Sequence, residues 1–402
     1  MKDKGSGTMK RLISLLMVLL MLTAFTTMAF AKESELSFGA DGKFRIMQIN
    51  DFQDTYYTNK ESLRFLNVIL DKYKPDLVVR VGDQLASDFK PEEVTEERIR
   101  TSLYNQLEPL SERNIPFLFT FGNHDREYWH TFGLSNQAEL YRSYSNCYAN
   151  TDGADNGTYN TLIYSSDKTK PVLNIYMMDS NYWDSDKNQN GVSPEQIEWY
   201  IETSNSLKEL NDGKPMSSLV FQHIPVKEIY KLLKKTSSIT PNAHRSRHSD
   251  DFYILNKNAE LIGDLNIMGE APSCENPSYD TGEYQAWVKQ GDIIGAFFGH
   301  DHKNTFVGRT DDGIVLGYNG GFGFAAYGDS VERYARIYDF NESDVENYSM
   351  KTICYTDEIA EAENCSCLCH KDGFSGFIWK IANLFNKLFK INSQCKCAVK
   401  HY

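Results

Sequence analysis

What most constrains the fold of this chain is where its apolar runs stop. "FRIMQIND" at 44–51, "DLVVRVGD" at 76–83, "IPFLFTFGN" at 115–123, "SSLVFQH" at 217–223 and "DIIGAFFGHDH" at 292–302 each read as a buried strand. Every one of them ends in residues able to ligate a metal. Carboxylate, amide and imidazole groups just past a buried strand cost free energy unless something pairs with them. Between the runs lie helical patterns: 60–73, with Leu63, Leu66, Ile69 and Leu70 on one face; 95–110; and a helix opening at "SPEQIEWY" with Ser193 as its cap. Further strands are expected at "VLNIYMMDS", "NTFVGRT", "GIVLGYN" and "ARIYDF". β-Branched runs separated by helices predict an α/β domain whose sheets are covered by helices.

In such folds, ligands bind at the carboxyl ends of strands. The five strand ends offer Asp51 and Gln53, Asp83, Asn123 and His124, His223, and His300 with His302. Taken singly, each has a bland explanation as a helix cap, a turn or a satisfied core histidine. Five in order on successive strands point instead to one shared crevice.

The ordered series "DFQ", "GDQL", "GNHD", "FQHIP" and "GHDH" resembles the calcineurin-like metallophosphoesterase family over roughly residues 44–340. "GHDHKN" and the preceding "QGDIIGAFF" look most like its branch related to purple acid phosphatases. The resemblance implies a four-layer α/β/β/α sandwich with two mixed sheets. It also implies two divalent metal ions (Mn, Fe or Zn), one held by Asp51, Gln53, Asp83 and His302, the other by Asp83, Asn123, His223 and His300. In the family pattern Asp83 would bridge them, a role that suits an anionic ligand with two lone-pair faces. The implied activity is phosphate ester hydrolysis by a metal-bridging hydroxide, with His124 as general acid.

Phosphomonoester hydrolysis is the expected activity, favoured slightly over phosphodiester hydrolysis. The alternatives are a phosphodiesterase or nucleotide hydrolase, or a catalytically weak surface binding protein on the same fold. Arg126 is a candidate contact for phosphate oxygens, against the plainer reading of a solvated charge. Two departures stand out. Gln53 replaces the usual histidine, and a hard amide oxygen there favours Mn or Fe over Zn. Ala86 stands where purple enzymes carry their iron-binding tyrosine, which argues against a ferric centre.

Charge narrows the partners. The formal net charge is −13. "LISLLMVLLML" behind Lys10-Arg11 and before "AFA" reads as a signal peptide, 1–31, with an uncleaved membrane anchor as the alternative. Removing its four basic residues and one acid leaves −16, and the tail from 365 holds six lysines against one aspartate, so residues 32–364 carry −21. So acidic a body excludes a broad nucleic-acid surface and suits a small phosphorylated substrate drawn in by bound cations. Secretion or an extracellular surface location follows from the leader.

The expected catalytic domain is 32–353 and the tail 354–402. Cys365, Cys367, Cys369, Cys395 and Cys397 bracket an amphipathic helix there. They suit disulfides or structural Zn equally, and the helix suits membrane-surface or cell-surface association. Two loops have weaker signals. "DSDKNQNGVSPEQ" imitates the start of a calcium loop but lacks its final acid. "NAHRSRHSDDFY" at 242–253 is expected to be a solvated loop, with lining of the substrate entrance by His244, Arg245, Arg247 and His248 as the alternative.

Overall fold

Strands β1 (Lys43–Ile49), β2 (Leu77–Val81) and β3 (Phe117–Thr120) run parallel, with helices α1 (Lys60–Tyr73) and α2 (Glu96–Glu112) crossing between them. The computed structural model describes residues 35–86, 94–183, 189–276, 279–328 and 331–362. The leader, the cysteine tail and residues 184–188 of the calcium-like loop lie outside these. Next along the chain come β4 (Tyr159–Tyr164), β5 (Pro171–Met178), α3 (Pro194–Leu210), β6 (Ser218–Gln222), β7 (Glu260–Leu261) and α4 (Glu283–Gln290). The body ends with β8 (Ile293–Phe298), β9 (Val307–Arg309), β10 (Val315–Tyr318), β11 (Tyr334–Asn341), β12 (Asp344–Cys354) and α5 (Tyr355–Ala362).

Two mixed sheets result, ordered β12-β11-β1-β2-β3 and β7-β9-β10-β8-β6-β5-β4. Alternation along the second sheet shows the layering. Ile175, Met177, Leu219, Phe221 and Phe297 pack toward the first sheet. Their neighbours Tyr176, Met178, Val220, Ala296 and Phe298 pack on Tyr200, Leu207, Tyr284 and Trp287 of α3 and α4. On the far side, Phe65, Leu66 and Ile69 of α1 and Leu103 and Leu107 of α2 cover the first sheet. The four-layer α/β/β/α metallophosphoesterase sandwich is therefore the observed fold.

The helix starts follow the sequence. Asn59 accepts from Glu61 N (2.8 Å) to cap α1, and Ser193 forms a full capping box with Gln196 at the start of α3. The plain cap reading of "SPEQ" is thus the observed one.

Two expectations need correction. The 242–253 insertion is not a simple solvated loop. His244–Arg245 and Phe252–Leu255 pair in a small antiparallel sheet with Leu233–Thr236. Residues 355–362, assigned by composition to the tail, form α5 packed on α1. Glu358 accepts from Lys72 Nζ (2.8 Å) and the Tyr73 hydroxyl (2.6 Å), and Tyr355 meets Phe65 edge-on. The packed body thus continues past 353. Cys147, Cys274 and Cys354 are free thiols, so no disulfide braces the described body. Among the described residues, no helix is long and apolar enough to cross a membrane.

Candidate metal centre

Register brings the strand ends together. Val81 pairs with Thr120, and Gln222 lies opposite Phe298, so the polar turns leave each sheet at the same level. The turns are tight. Asp51 (φ 52°), Gln53 (φ 40°), Asp83 (φ 49°) and His300 (φ 73°) all adopt the left-handed conformation that costs non-glycine residues roughly 1–3 kcal/mol each. Backbone bonds hold them there: Asp51 N donates to Gly82 O (3.1 Å), Gln53 N to Asp83 O (2.9 Å) and Gly323 N to Asp51 O (3.0 Å). Gly122 is required as well. A Cβ on it would lie 2.1 Å from Asp83 Oδ1.

Asp83 lies at the centre, buried. Its Oδ1 accepts from His124 N (2.8 Å); its Oδ2 lies 3.0 Å from Gln53 Nε2 and 3.1 Å from His223 Nε2. Asp51 Oδ2 accepts from Asn50 Nδ2 (2.7 Å) and His300 N (2.9 Å), while His302 Nε2 stands 3.0 Å from Asp51 Oδ1. His300 Nδ1 and His223 Nε2 are 3.3 Å apart. Asp83, His223 and His300 offer ligand atoms all within 4.8 Å of one another.

These residues fit a metal. His223 Nδ1 faces Val81 O (3.0 Å) and His302 Nδ1 faces Tyr327 O (2.7 Å). A carbonyl can only accept, so both Nδ1 atoms carry hydrogen. Each Nε2 is left to the carboxylates, the arrangement expected of metal-ligating histidines. Asn123 Oδ1 is buried without a hydrogen-bond partner, and buried Asp51 Oδ1 has no assigned donor, with His302 Nε2 standing 3.0 Å away. Buried orphan acceptors are rare, and a cation satisfies both.

Electrostatics agree. Burial opposes charge on Asp51 and Asp83, yet neighbouring histidines outweigh it and hold both below the usual carboxylate range. His223 is buried too, but Asp83 and Asp51 push it up to about 10. His300 goes the other way, to about 3, through burial and the adjacent His223. A cation bound through His223 therefore competes with a proton there.

Six of the proposed ligand residues, Asp51, Gln53, Asp83, His223, His300 and His302, lie in contact here, and Asn123 directly precedes His124, whose N bonds Asp83. Gln53 presents its amide nitrogen to Asp83 rather than its oxygen; turned about its last torsion, the same amide offers Oε1 to a cation. His124, partly exposed, is oriented by Glu127 Oε1 (2.7 Å from Nδ1), with Nε2 3.9 Å from Asp83 Oδ2. Arg126 is not an unpaired surface charge: its side chain is 38% exposed, but its Nη2 pairs with buried Asp179 at the end of β5 and its Nε is buried without a partner.

Sequence reasoning did not find Glu127, Asp179, Tyr327 or the bracing work of Asp125. Asp125 accepts from Gln84 N (2.9 Å), Leu85 N (3.2 Å) and Gly122 N (2.9 Å), tying two of the strand-end loops together. Burial and the nearby Asp83 raise its carboxyl to about 7. The acid closing "GNHD" was the available signal for it. Glu127, three residues past His124 in a short helical turn, was also readable as a partner at that spacing.

Comparison with known proteins identifies the family. Residues 44–304 match the calcineurin-like phosphoesterase family. "Probable inactive purple acid phosphatase 29" of Arabidopsis thaliana is 25% identical over 346 residues, spanning 77% of this chain and 79% of that protein. "Phosphatase DCR2" of Saccharomyces cerevisiae is 26% identical over 78% of this chain and 54% of its own length. A dimetal phosphatase from Danio rerio aligns over 78% of this chain and 99% of its own at 12% identity, with a TM-score of 0.47. With its matched span, its sandwich and its ligand-bearing strand ends, the chain belongs to the calcineurin-like phosphoesterase family, in the branch related to purple acid phosphatases.

Proposed function

We propose that the chain is an exported hydrolase of phosphate esters working at a two-metal centre, with phosphomonoesters preferred over phosphodiesters. The observation that supports it best is the cluster of ligand atoms on Asp83, His223 and His300 within 4.8 Å of one another, with Asp51 Oδ1 and His302 Nε2 3.0 Å apart beside it. Asp51, Gln53, Asp83 and His302 would hold one divalent ion, and Asp83, Asn123, His223 and His300 the other. When bound, such ions supply Lewis-acid charge and an activated water.

The residues of the chain do the rest. Glu127 fixes the His124 ring by its Nδ1 and leaves Nε2 facing the pocket, where it protonates the departing oxygen. Asp179 holds Arg126 so that its unpartnered Nε is available to a phosphoryl oxygen. Asn50 keeps Asp51 turned inward by bonding its Oδ2. The amide at Gln53 favours Mn or Fe over Zn in its site. Small phosphorylated molecules suit the acidic body, and residues 1–31 support export.

The test is turnover of 4-nitrophenyl phosphate and of bis(4-nitrophenyl) phosphate by protein supplied with Mn²⁺. Hydrolysis of both, faster for the monoester and abolished by a chelator, is expected. Faster diester turnover would reverse the substrate preference. No turnover of either would favour a surface binding protein on this fold.

A further inference from the structure

The small sheet built from the 233–255 segment is fastened to the metal centre. In its connecting loop, Ser246 N donates to Asp251 O (2.9 Å) and the Ser246 hydroxyl accepts from His248 N (3.0 Å). His248 Nε2 donates to Ser273 O (2.8 Å), and Ser273 N donates to Asp301 Oδ2 (3.1 Å). Asp301 is the residue between His300 and His302. The loop carrying Arg247 is thus tied through two bonds to the turn that bears two of the proposed ligands.

Arg247 itself reaches the same turn. Its Nη2 is 4.0 Å from Glu270 Oε2, and Glu270 Oε1 accepts from the Tyr327 hydroxyl (3.0 Å). That hydroxyl lies 3.3 Å from His300 O, and the Tyr327 ring stacks on His302 at 4.0 Å. Lys303 Nζ stands 6.0 Å from the centre of the same ring.

Nearby cations behave differently. Lys231 closes on Asp312 at 2.6 Å, Lys235 on Asp251 at 2.5 Å, and Arg245 pairs tightly with Asp250. By contrast, Arg247 meets its carboxylate only at the outer limit of contact with its side chain 53% exposed. Lys303 has no ion pair among the described residues. Two cations beside the 300–302 turn with no close ion pair, in a body carrying −21 over residues 32–364, need a physical reason.

We propose that Arg247 and Lys303 form an anion subsite beside the metal centre, selecting phosphate esters that bear a second anionic group such as a further phosphoryl. This rests on the hydrolase reading above. The planar guanidinium suits bidentate capture of a phosphoryl oxygen pair, and Lys303 adds a point charge. Tyr327 and Glu270 set the position of Arg247, and Glu270 keeps the rim from attracting anions without selectivity.

The test compares ADP with 4-nitrophenyl phosphate in the Mn²⁺-loaded full-length protein. Arg247→Gln is expected to weaken ADP, read as KM or as a competitive inhibition constant, by about 10-fold. Kinetics on 4-nitrophenyl phosphate should stay within about 2-fold, since that substrate has no second anion. Lys303→Gln should weaken ADP by about 3-fold through loss of the point charge. Equal losses on both substrates, or none on either, would overturn the subsite. If wild-type protein turns over neither, the hydrolase reading fails on its own. The subsite is then judged by equilibrium binding of ADP: about 10-fold weaker binding in Arg247→Gln keeps it, and unchanged affinity removes it.

Discussion

Asp83→Asn is expected to lower kcat/KM on an aryl phosphate by at least about 1,000-fold, or about 4 kcal/mol of transition-state stabilisation. The size follows from the position of this carboxylate. Oδ1 is fixed by His124 N, and Oδ2 faces both Gln53 and His223. Asparagine keeps the shape, but it loses the negative charge and one of the two acceptor faces. A neutral amide cannot bind two cations at once. Steady-state kinetics at saturating Mn²⁺ reads the effect, with circular dichroism showing the fold intact. A variant keeping more than a tenth of wild-type activity would remove Asp83 from the bridging role.

His124→Ala should split by leaving group. A positioned general acid contributes typically about 100- to 10,000-fold when the departing oxygen is basic. For an alkyl phosphate, kcat is therefore expected to fall at least about 100-fold, and for 4-nitrophenyl phosphate less than about 10-fold, because nitrophenolate departs with little protonation. Glu127→Gln should give the same split in weaker form, since Glu127 holds Nδ1 at 2.7 Å without lying on Asp83. Equal losses for both leaving groups would mean that His124 organises the Asp83 turn through its backbone N–H instead.

The legible parts of this molecule are those where burial and chemistry write into one strand. β1, β2, β3, β6 and β8 are mostly apolar runs that are buried along nearly their whole length, and their polar endings signalled the centre directly. β12 was not read. It is an edge strand, "DVENYSMKTIC", whose mostly exposed or half-buried side chains leave no alternation; backbone pairing with β11 makes it a strand. β4 is similar, with Asn160, Thr161 and Leu162 only half-buried. α5 was hidden by the composition change after 354, although Glu358 had a buried partner on α1 waiting 285 residues earlier.

At the site, the ligand residues were legible because the metal dictates their types. Their supports were not. Asp179 and Tyr327 act through geometry set by other segments: Asp179 meets Arg126 across 53 positions, and Tyr327 covers His302 from 25 positions away. Nothing local to Asp179 or Tyr327 marks the contact, whereas Glu127 lies only three residues past His124. The same holds for Arg247, which looked like a loop charge until its loop proved tied to Asp301.

The most direct test is a metal count on protein purified without added metal, by plasma emission spectrometry, for wild type and Asp83→Asn side by side. Two ions per wild-type chain, Mn or Fe prominent among them, and at most one in the variant is the predicted result. A wild-type chain that binds fewer than one ion, or a variant that keeps the full wild-type complement, would contradict a shared centre built on Asp83.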